Sequence, residues 1–97
     1  MAEFALEFTA EARKDLRFYA AREQQTILAK VKEQLRHEPQ KETRNRKKLR
    51  DSPLAPWELR VGEFRVFYAI EESTVVIVAV GAKEHNKLFV RGKEVKL

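Results

Sequence analysis

The sequence contains no cysteine. That excludes disulfides, thiolate nucleophiles and cysteine-bearing zinc sites, and it suits a reducing cytosol, so a cytoplasmic location is expected. Glycine is scarce: there are three, and none has the spacing of a phosphate-binding loop. The two histidines, His37 and His85, stand far apart and make no ligand cluster, so neither a metal nor another cofactor is expected. No serine has a histidine and a carboxylate placed around it for nucleophilic catalysis. No apolar run approaches the roughly 20 residues of a membrane span. The N-terminus lacks the basic segment and hydrophobic stretch of a secretory signal.

What is present is an ordinary apolar content, 43% of 97 residues, which argues for a folded chain. This length makes one domain, residues 1–97, with one modest core. The net charge is +5, and it is unevenly placed. Basic and acidic side chains balance in 1–38 and again in 51–97. The whole excess lies in 39–50, where Lys41, Arg44, Arg46, Lys47, Lys48 and Arg50 face Glu42 alone. Such a block attracts a polyanion or an acidic protein segment. A solvated loop is the alternative.

Apolar Phe4, Leu6 and Phe8 alternate, which predicts a strand over Glu3 to Phe8. Thr9 is a good N-cap for a helix with Glu11 in its first turn. Ala12, Leu16, Tyr19 and Ala20 repeat at helical spacing. A second helix from about Arg22 carries Ile27, Leu28, Val31 and Leu35 on one face, and Pro39 stops it near Glu38. A short strand is expected near Arg46–Leu49.

The clearest local signal is Trp57-Glu-Leu-Arg-Val-Gly-Glu-Phe-Arg-Val-Phe-Tyr68. Gly62-Glu63 suits a two-residue type II′ turn with glycine first. Val61 then faces Phe64, Leu59 faces Val66 and Trp57 faces Tyr68, all on one apolar sheet face. The other face sets Arg60 beside Arg65 and Glu58 beside Phe67. Val75–Val80 is apolar without alternation, as in a central strand covered on both faces, and Gly81 ends it. Leu88-Phe89-Val90 reads as a short strand or one helical turn.

Two arginines directly opposite in a ladder repel. An anion-binding face explains them, because guanidinium groups grip phosphate oxygens and stay charged. A surface ion network through Glu58 explains them equally well. His85, just past the central strand, has the chemistry of a general acid or base, or is merely solvated. Lys83 extends the positive surface beside it. Phe89 either stacks on a base or fills the core. Trp57 and Tyr68 belong to the core. His37, in the last turn of a helix, suits the helix dipole.

The order strand, helical hairpin, basic stretch and three strands resembles the RelE/ParE superfamily toxins of type II toxin–antitoxin systems. The resemblance is carried by Lys47-Lys-Leu-Arg50, Trp57-Glu-Leu-Arg-Val, Gly62-Glu-Phe-Arg-Val-Phe-Tyr68, the Val75–Val80 strand with Gly81, and the basic/His segment after it. It implies an α+β fold of βααβββ type: a small antiparallel β-sheet with an N-terminal strand and a helical hairpin packed on one face. The other face would carry the active cleft. It further implies a ribosome-dependent, metal-independent mRNA endoribonuclease that inhibits translation. Arg65, Arg60, Lys83 and His85 would be the catalytic set, and Arg46, Lys47, Lys48, Arg50 and Phe89 would hold RNA. The family's two lysines near the start of the third strand fall on Pro56 and Glu58 here, and its C-terminal tyrosine falls on Phe89. The ParE branch implies instead a non-catalytic inhibitor of DNA gyrase, and a third outcome is a toxin that only binds its antitoxin. A cognate antitoxin is expected as a partner under each reading, alongside ribosome and mRNA or gyrase, and the 41–50 stretch is a plausible landing site for it.

Overall fold

The computed structural model describes residues 3–96. Its first strand, β1, is Ala5–Phe8, and the helices are α1, Ala10–Arg17, and α2, Ala21–Leu35. Six strands follow: β2 (Arg46–Lys48), β3 (Trp57–Val61), β4 (Phe64–Glu71), β5 (Thr74–Glu84), β6 (Lys87–Val90) and β7 (Lys93–Val95). They form one open sheet in the order β2-β3-β4-β5-β6-β7, antiparallel throughout, while β1 joins parallel to the start of β5. The expected α+β class, with a helical hairpin against a mostly antiparallel sheet, therefore holds. β6 takes the strand alternative read for Leu88-Phe89-Val90, and β7 extends the sheet beyond what was expected.

Local chemistry accounts for the boundaries. Thr9 caps α1 as expected, its Oγ1 accepting from the Ala12 N–H at 3.1 Å. α2 ends at Leu35, three residues short of the expected Glu38, and Glu38 itself takes a positive φ of 50° before Pro39. The hairpin forms in the expected register, with Trp57 opposite Tyr68, Leu59 opposite Val66 and Val61 opposite Phe64. Gly62 has φ 59° at the first turn position, where a type II′ turn needs it. The β5–β6 turn, His85-Asn86, has positive φ at both residues, 51° and 67°, as a type I′ turn requires. Asparagine tolerates that conformation better than histidine does.

The main core lies between the helices and one sheet face. Ala12, Leu16, Ile27, Val31 and Leu35 meet Trp57, Leu59, Val66, Tyr68, Val75, Ile77 and Val80. Trp57 and Tyr68 stack with ring centroids 6.0 Å apart. The Tyr68 hydroxyl, buried and with its pKa pushed up by that burial, donates to the Pro39 carbonyl at 2.8 Å. This bond pins the segment that follows α2.

β5 explains why its apolar run does not alternate. Phe67 pairs with Ala79 but Tyr68 pairs with Ile77, so Val78 is an extra residue in a β-bulge. Val75, Ile77 and Val80 lie under the helices, and Val78 and Ala79 pack on the other side of the sheet. β4 occupies one edge of β5, while β1 takes 74–77 and β6 takes 82–84 on the other. Between those two partners, β5 has no neighbouring strand. α1 fills the gap: Thr9 Oγ1 reaches the Val78 carbonyl at 3.5 Å, and Asp15 Oδ2 accepts the Val80 N–H at 3.1 Å. Arg91 Nε, from the β6–β7 turn, lies 2.9 Å from Asp15 Oδ1 as a charge contact without hydrogen-bond alignment. Arg91 Nη2 also bonds Glu11 at 2.9 Å.

Asp15 is almost wholly buried, and burial raises its carboxyl pKa above the ordinary value, against the Val80 hydrogen bond and Arg91. A raised folded-state pKa means that this group's contribution to stability is fully present below the ordinary value of 3.8 and is lost as pH rises through the folded value. The difference in unfolding free energy between wild type and Asp15→Asn is therefore expected to shrink, in urea titrations, as pH rises from about 3 toward neutrality. Asp15→Ala leaves the Val80 N–H without a partner and is expected to cost about 1–3 kcal/mol near pH 3, with the cost falling in parallel as pH rises.

Candidate functional site: a basic sheet face

The sheet face turned away from the helices carries the candidate residues. Alternation along β3, β4 and β5 places Glu58, Arg60, Arg65, Gly81 and Lys83 on it. Arg60 pairs with Arg65, and Arg65 with Gly81, so the two guanidinium groups stand on neighbouring strands with no side chain beyond them. Lys83 is diagonal to Arg65, about 7–8 Å away between Cα atoms. Lys47 pairs with Glu58 and so joins the same face from β2.

Arg65 is the most constrained cation here. Its Nη1 donates to the Gly62 and Phe64 carbonyls at 2.8 and 2.9 Å, which folds the side chain against its own turn. Its Nε is buried and has no acceptor. Burial pulls its pKa below the ordinary value, Glu58 opposes that and Arg60 adds to it. It remains a cation at physiological pH. A buried donor without a partner on a charged group is costly, and an anion at this position would relieve it. Glu58, only 3% exposed, places Oε2 3.7 Å from Arg60 Nε. The ion network through Glu58 thus exists, and it partly neutralises Arg60 while leaving the Arg65 Nε unpartnered.

The expectation of an open cleft across this face is corrected. Its centre is a second apolar cluster of Phe67, Ala79, Ala55 and Leu88, with Leu49, Leu54, Val78, Val90 and Val95 packed around it. The segment after β2 covers it from one side and the β6–β7 hairpin from the other. β6 comes so close that a Cβ on Gly81 would lie 2.6 Å from the Phe89 carbonyl oxygen. Only glycine fits there. The polar site is what remains open beside this cluster, at the turn end of the β3–β4 hairpin.

Three sequence-derived positions sit elsewhere. Arg46 pairs with Leu59, on the helix side, and its Nη1 donates to the Gln34 and His37 carbonyls at 2.6 and 3.1 Å. It closes the C-terminal end of α2 and is not part of the outward basic face. Phe89 pairs with Ala82, which pairs with Phe64 of the helix-side core, so it lies on the opposite face from Arg65. It is not placed to stack on a base held there. His85 is exposed at the tip of the β5–β6 turn, four residues beyond the Gly81 row. Lys47, Lys48 and Arg50 stay exposed and, with Glu42 and Leu49, line a groove of about 640 Å³.

Sequence reasoning missed Asp15 and Arg91. A signal existed for the first: Asp15 sits three residues after Ala12 and beside Leu16, inside the apolar stripe of α1, where an unpaired carboxylate would be costly.

Residues 6–86 match the family model described as the ParE toxin of the type II toxin–antitoxin system parDE. The chain belongs to this family, and so to the RelE/ParE superfamily of type II toxins. Among solved structures, it is similar to a chain in the crystal structure of the toxin–antitoxin complex RelBE2 from Mycobacterium tuberculosis. The TM-score is 0.71 at 29% identity, over 84% of this chain and 99% of that one. No curated protein sequence matches.

Arg46→Ala is expected to destabilise the fold by about 1–3 kcal/mol, because it orphans two carbonyls at the end of α2. Arg60→Ala, half-exposed, is expected to change stability by less than about 1 kcal/mol in the same chemical denaturation experiment.

Proposed function

We propose that this toxin acts on RNA, as a ribosome-dependent endoribonuclease that cleaves mRNA, with the basic end of the outward sheet face as its phosphate site. The observation that carries the reading is Arg65: a half-buried guanidinium whose buried Nε has no acceptor, set opposite Arg60 and diagonal to Lys83. In the reaction, the 2′-hydroxyl of one nucleotide attacks the adjacent phosphorus. The bond to the 5′-oxygen of the next nucleotide breaks, leaving a 2′,3′-cyclic phosphate; the 2′-hydroxyl proton passes to water, and the departing 5′-oxygen takes a proton from water to become a 5′-hydroxyl. Negative charge grows on the phosphoryl oxygens, and cations already in place stabilise it without a metal. Arg65 and Arg60 hold the phosphate, Lys83 sits on the side of the leaving oxygen, and Lys47, Lys48 and Arg50 guide the chain toward the site. His85, exposed on the β5–β6 turn beyond Lys83, has a secondary part. A cognate antitoxin is the physiological partner, as for the toxin in the RelBE2 complex.

A second reading is favoured by one feature. Among the described residues, the strand partners of Arg60, Arg65 and Lys83 include no histidine, and Glu58 offsets part of the positive charge. A ParE-like toxin that inhibits DNA gyrase by binding needs no such group.

Induction in growing cells, with mRNA ends and DNA breaks both mapped, separates the two. Ribosome-dependent cuts that fall by about 100-fold in Arg65→Ala are expected, as for loss of a charge-stabilising donor. His85→Ala should reduce them by less than about tenfold. Intact mRNA together with gyrase-linked breaks would sink the nuclease reading.

A further inference from the structure

The positive charge around Arg65 does not end at Lys83. A groove of about 220 Å³ lies across β5, β6 and β7, next to the phosphate site. Lys83, Lys87, Lys96 and Asn86 line it, and Glu94 is its one carboxylate. Three cations thus face one anion. Lys87 and Lys96 are exposed and Lys83 is half-buried. Among the described residues none of the three lysines forms an ion pair, although Glu84 lies directly across the ladder from Lys87. Unpaired cations around one concave spot raise the local positive potential, which concentrates anions there.

The place of the groove in the sheet points to its ligand. Lys83, Leu88 and Val95 form one row across β5, β6 and β7. Lys83 belongs to both sites, since it is diagonal to Arg65 and also lines the groove. β4 and β6 stand two strand spacings apart, roughly 10 Å. One nucleotide step of an extended single strand, met by lysine side chains reaching in from the rim, covers that distance. Leu88 and Val95 supply apolar surface between the lysines, which suits the nucleoside that links two phosphates. Asn86, exposed on the turn, adds an uncharged amide donor.

We infer that the groove of Lys83, Lys87 and Lys96 is a second phosphate subsite, holding the phosphate next to the one on Arg65 in the same RNA strand. The inference rests on the proposed phosphate role of Arg65 and adds a path to it. The strand crosses the sheet from β4 toward β7, and the basic 41–50 groove meets it on the other side of Arg65.

The test uses the whole protein with 2′-O-methyl UpU and UpUpU, which carry one and two phosphates and have no 2′-hydroxyl to react. NMR titrations at several salt concentrations should show UpUpU binding more tightly than UpU and shifting the amides of Lys83, Lys87 and Lys96. Its log–log salt dependence should be steeper by about 0.7, as one more phosphate contact on a single strand requires. Lys87→Gln/Lys96→Gln, two exposed changes, should remove this increment and leave UpU binding within about twofold. Lys47→Gln/Lys48→Gln should leave the increment in place. The inference is overturned by an increment that survives Lys87→Gln/Lys96→Gln, or by one that is lost with Lys47 and Lys48 instead. It is equally overturned if a blocked hexaglutamate peptide fills the groove and UpUpU does not, which makes an acidic protein segment the ligand. Arg65→Ala separates this inference from the reading beneath it. UpU binding indifferent to Arg65→Ala removes the phosphate site itself, whereas Arg65-dependent UpU binding without the increment removes the second subsite alone.

Discussion

The gap on one edge of β5 is the constraint around which the molecule is organised. β5 is long enough to take two partners in succession, β1 at its start and β6 at its end. The bulge at Val78 falls between them, and the backbone there must be satisfied by something other than a strand. Asp15 supplies the acceptor for the Val80 N–H. Because Asp15 sits on α1, meeting this need fixes where α1 lies on the sheet. Because Arg91 completes the charge, it also holds the β6–β7 turn against α1. One carboxylate thereby joins the first helix, the central strand and the last hairpin.

Two consequences reach the functional face. The β6–β7 hairpin, held by Arg91, brings Leu88, Val90 and Val95 over Phe67 and Ala79, closing the middle of the face. What stays open is the turn end of β3–β4, where Arg60, Arg65 and Lys83 gather. Gly81 permits this arrangement twice. It lets the β6 backbone approach, and it leaves no side chain next to Arg65. The polar site is therefore narrow, rich in cations and poor in groups that move protons. Phosphate engagement follows more directly from this geometry than acid–base chemistry does.

Glu58 has a double role in that balance. It relieves the repulsion between two arginines paired across the ladder, which favours the fold. It also subtracts from the positive potential that a polyanion would feel. The buried Nε of Arg65 is left outside this compensation, which is why the proposed phosphate role rests on Arg65 more than on Arg60.

The amino-acid sequence alone determined the elements and the hairpin. Alternation in Trp57–Val61 and Phe64–Tyr68, with glycine leading the turn, leaves one register that puts every large apolar side chain except Phe67 on one side. That register also set Arg60 against Arg65. Local pattern likewise marked Thr9 as the cap of a helix that follows a strand ending at Phe8. Tertiary structure alone decided what each charge does. Arg46 and Lys47 are neighbours in one basic run, yet the pleat turns Arg46 to the end of α2 and Lys47 to the outward face. Whether a strand or a hairpin covers Phe67 depends on β6 and β7, whose turns rely on positive φ at His85, Asn86 and Arg91, residues that carry no strong turn signal as a group. The bulge at Val78 and the carboxylate that answers it link residues 65 positions apart. Periodicity reads neighbours within an element, and it is blind to a hydrogen bond that exists only once two elements have packed.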